Sequence, residues 1–205
     1  MKNLTIEKFS EVLFSKEPIP GGGGATALVG ALASSLAGMV TSLTAGKKKY
    51  AEYEEEIQEI MKKADFLRIT LLDCIREDGD NFIPLSKAYS LPKDTPNYDE
   101  ILEGCLRKAA STPFKILKLS CEVIELDSRL GVIGSKLAVS DAATSAMFAY
   151  ACLYTAKINV LVNTRLMKDR DYASRLDEEV EVLVEKYSLI AKETYDQIER
   201  RLTNG

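Results

Sequence analysis

The sequence contains no histidine and no tryptophan. The absence of histidine excludes catalysis by Ser–His or Cys–His pairs, zinc sites with imidazole ligands, and imidazole proton shuttles. Any acid–base chemistry must therefore use Asp, Glu, Lys, Tyr, Cys or bound water.

Cysteine is scarce, and no two cysteines form a C-x-x-C pair. Cys74, Cys105, Cys121 and Cys152 each lie in an apolar, helix-like context, which favours reduced core thiols over disulfides or metal ligands. We therefore expect no metal site. The amino-terminal segment also lacks the apolar core of a signal peptide, so the sequence predicts a cytoplasmic protein.

Neither sign of charge dominates, because 27 Lys and Arg residues stand against 31 Asp and Glu residues, for a net charge of −4. A general nucleic-acid binder needs a basic face, so nucleic acid is not an expected partner. The chain of 205 residues, 46% of them hydrophobic, can bury a sizeable core. We predict one domain spanning residues 1–205.

Charge is missing altogether between Glu17 and Lys47, a segment that holds seven of the twelve glycines. After the run Gly21–Gly24, small residues recur at every fourth position, which places them on one face of a helix. They are Thr26, Gly30, Ser34, Gly38, Ser42 and Gly46. Glycine inside a helix costs about 1 kcal/mol relative to alanine. The pattern therefore predicts close approach to this face by another helix or by a flat ligand.

This uncharged segment is about long enough to span a membrane. Three features favour a buried core helix instead: a face of Gly, Ser and Thr, a glycine run that shortens the usable helix, and the lack of a second apolar segment of similar length. We therefore expect no membrane insertion.

The rest of the chain shows helical periodicity and no convincing strand. We expect helices over about 50–77, 82–89, 99–110, 114–130 and 136–155, a charged helix ending near residue 202, and a short first helix whose apolar face is Ile6, Phe9, Leu13 and Phe14. Asp78-Gly79-Asp80 is expected to break or bend its helix, and Thr112-Pro113 is expected to break or kink the next one. The sequence predicts an all-α, single-domain bundle of long antiparallel helices with its two low-charge, small-residue helices packed closely at the centre.

The glycine run is the first candidate binding element. Where Gly21, Gly22, Gly23 and Gly24 enter a helix, their backbone N–H groups lie at the positive end of the helix dipole and suit an anion or a polar ring oxygen. A tight turn demanded by packing is the alternative. The formal match to a dinucleotide-binding fingerprint is rejected, because Pro18-Ile19-Pro20 precedes the run in place of a strand.

Polar side chains on apolar helices are further candidates. Asp141 is the only acid of the second low-charge helix, and such a carboxylate is paired, hydrogen-bonded or catalytic. Asn159 and Asn163 lie one turn apart among apolar residues, and buried amides need partners, of which a ligand is one. Asp78 belongs either to a solvated turn or to a functional site, and Lys47 either to a solvated helix start or to a ligand contact.

In four stretches the sequence resembles the cyclodeaminase/cyclohydrolase family of folate enzymes, and the stretches follow the family's order over nearly the whole chain. They read KEPIPGGGGATALVGALASSLAGMVTSLTAGKKKY, DGDNFIPLSKAYSLPK, LAVSDAAT and KINVLVNTRLMKDRDY. The family includes formiminotetrahydrofolate cyclodeaminase domains and stand-alone methenyltetrahydrofolate cyclohydrolases. The GKKKY and PLSKAY-x-LPK segments are most similar to the stand-alone cyclohydrolases.

The resemblance implies an all-α homodimer that binds a tetrahydrofolate derivative in a cleft near the glycine run, with no cofactor beyond this substrate. The family's motif positions correspond to Pro20–Gly24, Asp78, Phe82, Ser140, Asp141, Asn159 and Asn163. We expect the glycine run and Asp141, on the partner helix, to face one folate cleft. Lys47 would attract the glutamate tail.

Both reactions of the family pass through a tetrahedral carbon and need one proton acceptor and one donor. A cyclohydrolase adds water to the methenyl carbon and expels N5, whereas a cyclodeaminase adds N10 to a formimino carbon and expels ammonia. We expect Asp141 to act as base or cation stabiliser, with Asp78 as the second catalytic candidate, and Asn159 and Asn163 to orient the pterin or the water. The cyclohydrolase is the main hypothesis; the cyclodeaminase and a non-catalytic helical dimerisation module are the alternatives.

Overall fold

The computed structural model describes residues 3–204, so the predicted domain limits at 1 and 205 lie outside the described residues. Within residues 3–204 the chain forms six α-helices and no strand, which confirms the all-α prediction. The helices are α1 (Ile6–Phe14), α2 (Gly22–Ser42), α3 (Glu54–Tyr89), α4 (Tyr98–Ile133), α5 (Val139–Thr164) and α6 (Arg170–Thr203). A 3₁₀ segment, Lys48–Tyr53, precedes α3.

The two low-charge helices, α2 and α5, lie antiparallel. Near the start of α2, the Thr26 carbonyl accepts a hydrogen bond from Cys152 Sγ at 3.4 Å. Further along α2, the Ala33 carbonyl lies 2.7 Å from Ser145 Oγ, which is earlier in α5. Because the contacts advance along α2 while they recede along α5, the predicted central antiparallel pair is confirmed.

The small residues of α2 are packed against neighbouring helices. A Cβ at Gly30 would lie 3.1 Å from Leu71 Cδ2 of α3 and 3.7 Å from Cys152 Sγ of α5. One turn later, Ser34 Oγ donates a 2.7 Å hydrogen bond to the Ala64 carbonyl of α3. The small-residue pattern predicted close approach to this face, and α3 and α5 both approach it. Their packing against α2 compensates for the low helical propensity of its glycines.

The outer faces of α2 and α5 are apolar and partly exposed. The exposed fractions are 47% for Leu32 and 41% for Met39 on α2, 43% for Leu43 at the C-terminal cap of α2, and 44% for Tyr154, 62% for Ile158 and 46% for Val162 on α5. Both helices are long and apolar enough to cross a membrane, and 56% and 39% of their most apolar windows are buried in the bundle. The sequence predicted no second apolar segment of similar length after α2. That prediction is wrong, because α5 continues to Thr164 instead of ending near residue 155.

The predicted helix breaks are absent at both places. Helix α3 runs through Asp78-Gly79-Asp80, and α4 runs through Thr112-Pro113. Gly79 is buried, so tertiary packing overrides its low propensity for the helix interior. Each helix contains one proline, Pro84 in α3 and Pro113 in α4, and each proline removes one backbone N–H donor.

The first helix buries less than its pattern predicted. Phe9 is buried, but Ile6 is 80% exposed and Phe14 is 94% exposed. Thr5 caps the helix, since its Oγ1 accepts a hydrogen bond from the Lys8 N–H at 3.1 Å. Of the four apolar side chains of the predicted face, Phe9 is the one that is buried.

The four cysteines are free, as predicted. Cys74, Cys121 and Cys152 are buried, and Cys105 is half-buried. Burial raises the pKa of Cys74 to about 11 and the pKa values of Cys121 and Cys152 to about 12. These three thiols therefore stay protonated and unreactive at neutral pH.

Candidate functional site

A cleft of about 240 Å³ lies at the end of the bundle where α2 begins. Its walls come from the segment before α2, the first turn of α2, and parts of α3, α4 and α5. Larger grooves exist elsewhere, one of about 600 Å³, but this cleft brings together six of the predicted site residues. They are Gly21, Gly22, Gly23, Asp78, Asn159 and Asn163.

The first turn of α2 is capped by a carboxylate from α3. The residue before the helix, Gly21, has no side chain that can cap it. Asp78 accepts a hydrogen bond from the Gly24 N–H instead. A Cβ at Gly23 would lie 2.2 Å from Asp78 Oδ1, so only glycine permits this approach. The glycine run thus places a carboxylate at the positive end of a helix dipole.

Asp78 is suited to proton transfer. Burial raises the pKa of its carboxyl group above the ordinary value, and the hydrogen bond from the Gly24 N–H opposes part of this shift. A carboxyl group whose pKa moves toward neutrality exchanges protons more readily at cellular pH. Its neighbour Asp80 is exposed and forms only a long ion pair with Arg76, at 4.0 Å.

The two asparagines line the opposite wall, one turn apart on α5. Asn159 Nδ2 donates to the Thr155 carbonyl at 2.7 Å, and Asn163 Nδ2 donates to the Asn159 carbonyl at 2.8 Å. These bonds fix both side chains along the helix and leave their side-chain oxygens as acceptors for a ligand. Asn159 also lies close to the glycine run, because a Cβ at Gly22 would be 3.3 Å from its Oδ1.

Apolar groups complete the cleft. Phe82 of α3, Val162 of α5, and Ala109 and Pro113 of α4 line it. An aromatic ring and aliphatic groups beside amide and carboxylate oxygens suit a flat heterocycle with polar edges. The contribution of α4 was not anticipated, because no local sequence pattern shows that α4 packs beside the start of α2.

Asp141, Ser140 and Lys47 are not in this cleft. Asp141 lies in the first turn of α5, and a rise of about 1.5 Å per residue puts it roughly 27 Å along the helix from Asn159. Lys47 Nζ donates to Ser135 Oγ at 3.3 Å, also at that far end. The expectation that Asp141 faces the glycine run within one chain is wrong, because antiparallel packing sets the start of α5 beside the end of α2.

That far end of the bundle is basic. Tyr50 accepts a hydrogen bond from the Lys136 N–H at 3.1 Å, and this bond lowers the pKa of the Tyr50 hydroxyl. A groove of about 400 Å³ beside it is lined by Lys136, Arg200 and Arg201. Sequence analysis identified neither Tyr50 nor the arginines, which meet there only because α6 returns to this end of the bundle.

Comparison with known proteins identifies the class to which this helical fold belongs. Residues 5–182 match the model of the formiminotransferase-cyclodeaminase family. The chain belongs to that family, as its four motif stretches indicated.

Individual relatives are similar over different shares of their length. A methenyltetrahydrofolate cyclohydrolase of Methylorubrum extorquens is 34% identical over 204 residues, which cover 98% of each chain. A formimidoyltransferase-cyclodeaminase of Dictyostelium discoideum is 25% identical over all of this chain but only 37% of its own length. The crystal structure of a formiminotetrahydrofolate cyclodeaminase from Thermotoga maritima superposes with a TM-score of 0.85, at 28% identity, over 96% of this chain and 98% of that one.

Proposed function

We propose that the protein is a methenyltetrahydrofolate cyclohydrolase, which converts 5,10-methenyltetrahydrofolate and water into 10-formyltetrahydrofolate. The observation that carries this proposal is the 34% identity to an enzyme of that name over 98% of both chains. The cleft supports it, because a flat ring with polar edges matches its aromatic, amide and carboxylate lining.

Asp78 is the proposed proton carrier of the cleft. As water adds to the methenyl carbon, the carboxylate of Asp78 accepts a proton from that water. The resulting carboxylic acid then protonates N5 as the bond between N5 and the former methenyl carbon breaks. The hydroxyl proton of the intermediate passes to solvent, and the formyl group remains on N10. Burial raises the pKa of Asp78 toward neutral pH, which favours both the acceptance of a proton from water and its donation to N5.

The remaining cleft residues bind and orient the substrate in this proposal. The side-chain oxygens of Asn159 and Asn163 accept hydrogen bonds from the pterin, and Phe82 packs against its ring. The free N–H groups of Gly22 and Gly23 donate to a ring oxygen.

A homodimer would bring the two ends of the bundle together. The apolar outer faces of α2 and α5 flank an open groove of about 470 Å³, and burial of such faces favours association. A two-fold axis across the middle of this face would set the cleft of one copy beside the Asp141 end of the other. Asp141 and Ser140 would then complete the partner's cleft, and Lys47 would attract the glutamate tail.

We further propose that the enzyme acts in the cytoplasm, without a metal or a cofactor beyond its folate substrate, and without a membrane or nucleic acid as partner. The four free cysteines suit a reducing compartment. The methenyl carbon is already electrophilic, so its hydrolysis needs acid–base groups and no redox step.

Formiminotetrahydrofolate cyclodeaminase activity is the second candidate, because the Thermotoga maritima relative bears that name and shares the fold at a TM-score of 0.85. Two assays separate the candidates. The absorbance of methenyltetrahydrofolate, followed with and without protein, measures hydrolysis, and ammonia released from formiminotetrahydrofolate measures deamination. We expect acceleration in the first assay only. Ammonia release alone would favour the cyclodeaminase, and no activity together with no folate binding would favour the dimerisation module.

A further inference from the structure

One main-chain carbonyl in the cleft wall lacks its helical donor. Pro113 lies inside α4 and lines the cleft. In an α-helix the N–H of position 113 would donate to the carbonyl of Ala109, but proline has no N–H. Ala109 lines the same cleft and lies on the same face of the helix as Pro113. The Ala109 carbonyl therefore lacks its usual i+4 donor at the cleft wall.

Neighbouring polar groups already have partners. Asn81 Nδ2 donates to Thr112 Oγ1 at 2.8 Å, and Ser111 Oγ donates to the Lys108 carbonyl at 2.7 Å. Among residues 3–204, no side-chain hydrogen bond is found to the Ala109 carbonyl, although Ala109 is only 7% exposed. A carbonyl in such a position is costly unless a ligand or water supplies a donor.

We propose that the Ala109 carbonyl accepts a hydrogen bond from an N–H group of the bound heterocycle, and that Pro113 is present in α4 to keep this acceptor free. The inference deepens the proposed function and rests on it, since a pterin carries an amino group and ring N–H groups. The cleft then presents acceptors on two sides: the asparagine oxygens of α5, and this carbonyl of α4. Such a set selects rings with several N–H donors and rejects rings in which oxygen replaces them.

The other helical proline provides a matched control. Pro84 lies in α3 and frees the carbonyl of Asp80, whose side chain is 67% exposed. Neither Pro84 nor Asp80 lines the cleft. Replacing either proline by alanine restores one helical hydrogen bond, but only the change at Pro113 removes an acceptor from the cleft.

The first test uses the unmodified chain. The ¹³C carbonyl resonance of Ala109 is followed by NMR while the protein is saturated with tetrahydrofolate. We expect a downfield shift of this resonance, as a new hydrogen bond to the carbonyl requires. An unchanged Ala109 resonance at saturation overturns this inference alone. A protein that neither binds tetrahydrofolate nor hydrolyses methenyltetrahydrofolate overturns the proposed function as well.

The second test compares Pro113→Ala with Pro84→Ala by calorimetric titration with tetrahydrofolate. We expect Pro113→Ala to weaken binding about fivefold to tenfold, the usual effect of one hydrogen bond, and to raise KM while leaving kcat close to wild type. Pro84→Ala should bind as the wild type does. Slow hydrogen exchange of the new amide at position 113 of Pro113→Ala would show that this amide donates to the Ala109 carbonyl. Wild-type affinity together with such a protected amide contradicts the inference.

Discussion

Ser145 Oγ lies 2.7 Å from Asp127 Oδ2 in the middle of the core, and it lies 2.7 Å from the Ala33 carbonyl as well. A hydroxyl group has one proton and can donate to only one of these two acceptors. Both contacts are satisfied when Asp127 is protonated and donates to Ser145 Oγ, which then donates to the Ala33 carbonyl. Complete burial agrees with this, because it raises the pKa of Asp127 well above the ordinary value.

The first prediction concerns stability against pH. The Asp127 carboxyl keeps its proton in the folded chain and loses it above about pH 4 in the unfolded chain. Its stabilising contribution is therefore complete below that pH and is lost as pH rises through the folded-state pKa. Above about pH 4 the free energy of unfolding should therefore fall more steeply with pH in the wild type than in Asp127→Asn, by at most about 1.4 kcal/mol per pH unit. Urea denaturation of both proteins between pH 5 and 8 measures how the free energy of unfolding depends on pH. Equal slopes for the two proteins would show that Asp127 is ionised in the folded chain.

The second prediction concerns Asp78. Asp78→Asn should fold normally and lose at least about 100-fold in kcat, because the amide cannot carry a proton between water and N5. Asp80→Asn, two residues away on the exposed side of α3, should retain wild-type kcat. Steady-state hydrolysis of methenyltetrahydrofolate and circular dichroism provide the two readouts. If Asp78→Asn kept wild-type kcat, as Asp80→Asn is expected to, Asp78 would have no part in the mechanism.

The third prediction tests the close approach between α2 and α3. In Gly23→Ala the new methyl group would meet Asp78 Oδ1, and the shift this forces should cost about 1–3 kcal/mol of stability and reduce activity. Gly21→Ala is the matched control, because nothing lies within 4 Å of a Cβ at that position. Thermal unfolding and turnover are measured for both. A Gly23→Ala protein as stable and active as Gly21→Ala would contradict the packing described.

The fourth prediction tests whether two copies share a cleft. If Asp141 of one copy serves the cleft of the other, Asp78→Asn and Asp141→Asn are each inactive alone. A mixed dimer then carries one intact cleft and one doubly altered cleft. Co-refolding equal amounts should restore about a quarter of wild-type activity, since random pairing in a two-fold dimer makes half of the dimers mixed. Light scattering checks the dimer, and no recovery in a confirmed dimer would place Asp141 outside the partner's cleft.

Local patterns were sufficient to predict the central helices but not their neighbours. The four-residue spacing of Gly30 and Ser34 places them on one helix face whatever the rest of the chain does. The contact between Gly23 and Asp78 depends on how α3 folds back, and no spacing within either helix encodes that. For the same reason, Asp141 was expected at the glycine run: a helix pattern shows which face a residue occupies, but not which end of a neighbour it meets.

Because α2 receives its cap from α3, its first turn depends on a contact between two helices. Three consecutive glycines at Gly22–Gly24 favour disorder, and the turn has no capping side chain of its own. The helical form of this turn is therefore stabilised by Asp78 of α3 and not by the turn's own sequence. Hydrogen exchange should therefore be fastest within α2 at these glycines, and a folate that binds there would slow it by holding the end of the helix closed.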